Sequence, residues 1–143
     1  HNAELLRCVR RLIDLRRSRL WLRRDTFLKG AARGAHAKDV AWLHPSGREM
    51  SEADWNDSSL RAIAVHMHGA PSRTSEDDEL LVIFNADHAH VDLTLPEAPA
   101  GTAWQVLFDT TGAAPEAGAL RHRGGEVLRV EPRSTVLLES ITS

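Results

Sequence analysis

The sequence predicts a mainly β protein, an antiparallel β-sandwich preceded by one N-terminal α-helix. Three observations carry this. Near the N-terminus Leu5, Val9, Leu12 and Ile13 recur at helical spacing. From residue 39 the apolar period changes to two. Short apolar segments then follow one another, separated by Gly- and Pro-containing turns, as in a sandwich of about seven or eight strands.

The helix is expected over residues 3–18. Leu6 and Leu15 widen its apolar stripe, while Arg7, Arg10, Arg11, Asp14 and Arg17 occupy the other faces. So wide a stripe needs a large apolar surface to pack against, which suggests a chain cut from something longer. Residues 19–38 form a connector, packed down through Trp21, Leu22, Phe27 and Leu28. A short strand is expected over 39–44, then a Pro45-Ser46-Gly47 turn. Ser51-Glu52-Ala53-Asp54 reads as the capped start of a helix of a turn or two. Residues 60–68 read as a strand with Ile63, Val65 and Met67 on one face. The polar segment 70–79 reads as a mobile hairpin loop. The continuous apolar run 80–85 suits a central strand. Further strands are expected over 90–95, 104–109, 126–130 and 135–141.

Charge is unevenly placed. The formal net charge is −2, yet residues 1–30 hold eight Arg and Lys29 against Glu4, Asp14 and Asp25. That segment is therefore positive by six and the remainder negative by eight. The balance gives no global attraction to nucleic acid or to an anionic membrane. Cys8 is the only cysteine, so there is no intrachain disulfide and no thiolate metal cluster. A reducing, cytoplasmic setting fits. No apolar stretch approaches the ~20 residues of a membrane span.

Several stretches resemble, in order and spacing, the C-terminal region of bacterial glycogen debranching enzymes and isoamylases of the α-amylase superfamily. Leu5-Leu6-Arg7-Cys8-Val9-Arg10-Arg11-Leu12-Ile13-Asp14-Leu15-Arg16-Arg17 resembles the last barrel helix, and Phe27-Leu28-Lys29-Gly30 the segment leaving the barrel. Asp39-Val40-Ala41-Trp42, followed by Pro45-Ser46-Gly47-Arg48-Glu49-Met50-Ser51-Glu52-Ala53-Asp54-Trp55, is the most specific block. Leu80-Leu81-Val82-Ile83-Phe84-Asn85-Ala86, Leu93-Thr94-Leu95-Pro96 and Trp104-Gln105-Val106-Leu107-Phe108-Asp109-Thr110 also match. Met67-His68-Gly69 departs from the Leu-Asn-Gly-like turn expected there.

The resemblance implies that residues 1–30 are the last helix and exit segment of a truncated (β/α)8 barrel, and 31–143 a C-terminal sandwich domain. It implies a parent enzyme hydrolysing α-1,6 branch linkages in glycogen-like α-glucans. The family's catalytic Asp, Glu and Asp lie in upstream barrel strands, so no catalytic residue carries over. The expected role of the sandwich is to stabilise the barrel by covering one side of it and burying the helix stripe, with α-glucan bound through the parent and no cofactor. The isolated chain is expected to be inactive and to self-associate through Leu5, Leu6, Val9, Leu12 and Ile13.

Trp42 and Trp55 are the candidate substrate-binding residues, since aromatic faces stack on sugar rings, although each position also suits the core. Trp104 reads as core. Glu49, Glu52, Asp54 and Asp57 read as capping and solvated groups rather than an acid/base pair, which needs a shielded carboxyl with a raised pKa. His66 with His68, and His88 with His90, share strand faces and would suit zinc if those strands were adjacent. With no carboxylate or cysteine fixed beside them, they read as exposed histidines and no metal site is expected. The Arg-rich helix lacks base-stacking aromatics, so nucleic-acid binding is not expected. No Gly-x-Ser-x-Gly elbow or P-loop occurs. The alternatives are a stand-alone carbohydrate-binding module and a protein-interaction sandwich.

Overall fold

A computed structural model describes residues 2–19, 22–23, 27–30, 38–69, 79–112 and 121–142. The element order is α1 (Asn2–Ser18), β1 (Val40–Leu43), α2 (Glu52–Trp55), β2 (Ala62–His68), β3 (Glu79–Asn85), β4 (Val91–Thr94), β5 (Thr102–Asp109), β6 (Arg121–His122), β7 (Val127–Val130) and β8 (Ser134–Thr142). Each expected strand is present within a residue or two of its bounds. The two-residue β6 was not anticipated, being too short to show a period.

The sandwich is unequal. Six strands in the order β1-β2-β3-β8-β5-β6 form one sheet, every pairing antiparallel. β4 and β7 pair with each other as a second, two-stranded sheet. Between the sheets lies the main core of Leu43, Ala64, Leu81, Ile83, Leu93, Leu95, Trp104, Val106, Val130, Val136 and Leu138. Trp104 is fully buried there, and its indole N–H donates to the Pro96 carbonyl at 2.9 Å. A buried Trp needs such a partner for its one polar atom.

The other, outer face of the large sheet is formed by the alternate residues. Leu80, Leu107, Phe108 and Leu137 gather there with Leu15 of α1, flanked by Cys8, Leu22, Met67 and Val82. Leu107 and Phe108 are neighbours in sequence and should face opposite ways. A register shift between Val106 and Phe108 lets both join this cluster, as a bulge does. An Arg19–Glu139 ion pair closes the C-terminal end of the helix contact. Downstream, the backbone N–H groups of Lys29 and Gly30 donate to the buried Asp39 carboxylate at 3.0 and 2.8 Å, which ties residues 29–30 to the start of β1.

Two expectations need correction. The helix stripe is not buried by the sandwich: Leu15 is the buried position of α1, while Leu5, Leu6, Val9, Leu12 and Ile13 are all exposed. On a helical wheel Cys8 and Leu15, seven residues apart, sit at one edge of the stripe, and only that edge meets the sheet. The connector is not packed down at Phe27, which is 91 % exposed. Trp21 and segment 70–78 lie outside the described residues.

Candidate functional site

The Trp42 to Trp55 block folds on local hydrogen bonds. His44 and Arg48 close a tight turn, with the His44 N–H donating to the Arg48 carbonyl at 2.8 Å. Gly47 holds a φ of +90°, and a Cβ there would come within 3.0 Å of the Thr94 carbonyl oxygen, so both strain and space require glycine. The Thr94 N–H donates to the Pro45 carbonyl at 2.8 Å, which seats the turn on β4. Ser51 then caps α2 in a reciprocal capping box with Asp54. Arg48 reaches both Asp54 oxygens, one of them at 2.9 Å.

These bonds settle the carboxylate cluster. The Arg48 hydrogen bond, then the Ser51 backbone N–H, hold the Asp54 carboxyl well below the usual range. The Ser59 hydroxyl lowers Asp57 in the same way. Glu49 pairs with Lys38. A general acid needs the opposite shift, so the arrangement is a cap and its ion pairs.

The block also positions two indoles. Trp42 lies on β1 opposite Val65, on the outer face of the large sheet, and Trp55 ends α2. Their rings meet edge to face, with centroids 5.8 Å apart and planes at 71°. Contrary to a core assignment, Trp42 is 45 % and Trp55 55 % exposed. Beside them opens a cleft of about 300 Å³, lined by Leu28, Lys29, Gly30, Val40, Ala41, Glu49 and Met50 as well as both indoles. That is the lower end of the size of ligand pockets. The cleft offers aromatic surface, one cation and one carboxylate.

A second constellation was missed in the sequence. His66 is buried rather than exposed, and its Nε2 donates to Glu79 at 2.9 Å. His68 Nδ1 lies 3.1 Å from the other Glu79 oxygen. Glu79 is not a loop residue but the first residue of β3, 7 % exposed and directly opposite His68. Burial alone would raise its pKa. The hydrogen bonds from His66 and His68 outweigh burial and hold it at about 2. A carboxylate is therefore fixed beside this histidine pair. The other pair stays apart: His88 meets Asp87, and His90 meets Glu131. The signal available in the sequence was the acidic residue directly abutting the apolar run at Leu80.

Known proteins resemble this chain. The family model described as isoamylase, C-terminal, matches residues 39–139. The glycogen operon protein GlgX homolog of Mycobacterium tuberculosis is 36 % identical over 118 residues, covering 76 % of this chain and 16 % of that protein. The isoamylase of Pseudomonas amyloderamosa is 31 % identical over 102 residues, covering 71 % of this chain and 12 % of that protein. The chain thus spans less than a fifth of the length of these relatives. Among solved structures, trehalose-6-phosphate hydrolase of Bacillus licheniformis aligns with a TM-score of 0.40 at 21 % identity, over 61 % of this chain and 13 % of that one. The match over residues 39–139, with the Trp42 to Trp55 block inside it, places the chain in the isoamylase C-terminal family.

Proposed function

We propose that this chain is the C-terminal part of a glycogen-debranching glycoside hydrolase, acting on α-1,6 branch linkages of glycogen-like α-glucans in the cytoplasm. In this reading residues 1–30 are the last barrel helix with its exit segment. Residues 31–143 are a non-catalytic domain that stabilises the barrel. The observation that carries it is the outer side of the large sheet. There the exposed stripe of α1, Trp42 and Phe84 all present large apolar side chains to solvent. Burying each such side chain fully is worth ~1.5–3 kcal/mol, so a catalytic domain seated there gains much from the contact. The two relatives, named as a glycogen operon protein and an isoamylase, support the substrate class.

The test is to read the coding DNA upstream of the His1 codon and assay the protein it encodes on glycogen. The expected result is an open frame of several hundred codons and release of α-1,6-linked branches. A start codon close to His1, or a whole protein inert on branched glucan, would overturn the reading.

The Trp42–Trp55 cleft favours a second role, direct contact with α-glucan. Adding maltooligosaccharide should then shift tryptophan fluorescence, and Trp55→Ala should abolish the shift. No shift at millimolar sugar removes this role.

A further inference from the structure

We propose that His66, His68 and Glu79 form a binding site for a divalent transition-metal ion of the zinc type, a structural clamp at the loop end of the β2–β3 ladder, where His68 faces Glu79. Each of the three residues offers one ligand atom, and these atoms all lie within 4.8 Å of one another. Two imidazoles and one carboxylate are a donor set that zinc accepts, leaving a fourth position for water.

The residues stand on strands rather than loops. His68 faces Glu79 directly across the β2–β3 ladder, and His66 pairs with Leu81 one step further in. The site is therefore built by regular backbone. The same face of β2 carries Ala62 and Ala64, and that of β3 carries Leu81 and Ile83, all buried apolar residues. Packing alone asks for more of these, yet the next positions are two imidazoles and a carboxylate. Burying such groups costs free energy unless their charge is answered. A divalent ion answers it more fully than hydrogen bonds from the two imidazoles do.

The surroundings suit a held ion. The His66 ring packs edge-on against Trp104 at 5.5 Å, and the Glu79 N–H donates to Ser140 Oγ at 3.1 Å, so both ligands are held by neighbours. The His68 side chain is 20 % exposed and gives an ion its way in. Bonds of ~2.0–2.1 Å in a tetrahedron set ligand atoms about 3.4 Å apart. His66 Nε2 and His68 Nδ1 already lie 2.9 and 3.1 Å from the Glu79 oxygens, so side-chain rotation suffices to bring the three groups onto one ion.

The test is equilibrium dialysis of the EDTA-stripped chain against ZnCl2, with Co2+ as a visible-absorbance probe of coordination geometry. One ion should bind per chain, with the intense cobalt absorbance of a four-coordinate site. Zinc at about a hundred times its Kd should raise the melting temperature on the order of 5–10 °C. Glu79→Gln and His68→Ala should each abolish stoichiometric binding, and His90→Ala should leave it intact. If Glu79→Gln fails to fold, the partly exposed His68→Ala decides. Absence of stoichiometric binding, or its survival in His68→Ala, would overturn the proposal and leave the triad as a hydrogen-bonded link between two strands.

Discussion

The two faces of the six-stranded sheet are built from alternate residues of the same strands, yet they meet different surroundings. The inner face is closed by β4 and β7. It holds Trp104, Leu81, Ile83 and Leu138, all essentially without solvent contact. Among the described residues the outer face is covered by α1, through Leu15 with Cys8 beside it, and by Leu22. Trp42 and Phe84 on that side, and five aliphatic residues of α1, remain exposed. A sheet that needed only to fold would not carry two apolar faces. The inner face secures the fold of the chain, and the outer face, in our reading, is shaped for another surface.

The contrast can be broken most forcefully at the inner face. Trp104→Ala should cost about 3–5 kcal/mol, because it empties the centre of the main core and orphans the Pro96 carbonyl. Urea denaturation measures it. A loss under about 1 kcal/mol would show that the inner face is not what holds the chain together.

Asn85 comes next. Its amide nitrogen donates to the carbonyls of Ala89 and Glu131, each at 3.0 Å, and its oxygen accepts from the Asp87 N–H. It thereby joins the β3–β4 turn to the β7–β8 turn. Asn85→Leu should cost about 2–3 kcal/mol by stranding these groups, visible in the same urea titration.

Ser51→Ala should cost about 1 kcal/mol through loss of the α2 cap. The cap also has a pH signature. Asp54 has its folded pKa lowered, so its stabilising share is present above the ordinary carboxylate pKa. That share is lost as pH falls through the folded value. The difference in urea midpoint between wild type and Asp54→Asn should therefore shrink on acidification; a difference that grows would contradict the capping account.

The smallest effect is expected on the outer face. Val9→Asp and Leu12→Asp should each change the stability of the isolated chain by less than about 0.5 kcal/mol, because neither side chain is buried. A large loss would mean that the stripe serves the chain's own fold.

How much of this was legible follows the same division. The strands of the inner face could be read because alternation and turn residues both report them, as in 80–85 and 90–95. The Ser51 cap was legible because its chemistry is local. Exposure of Trp42 and Trp55 was not, since a residue on a second apolar face has the same pattern as one in the core. The partner of His66 and His68 was hidden for another reason. Glu79 ends an acidic run that resembles a loop, and only the β2–β3 register sets it opposite His68. The Leu107 bulge was equally silent, because a one-residue irregularity leaves no mark in an apolar run.

The central claim is that the outer face is an interface surface. Sedimentation velocity over a wide concentration range, on wild type and on the Val9→Asp, Leu12→Asp double variant, tests it most directly. The account predicts concentration-dependent self-association of the wild-type chain, abolished in the variant, with the two urea midpoints equal at concentrations low enough for the wild type to be monomeric. A wild-type chain that stays monomeric at high concentration, with the amides of α1 protected from exchange, would contradict it.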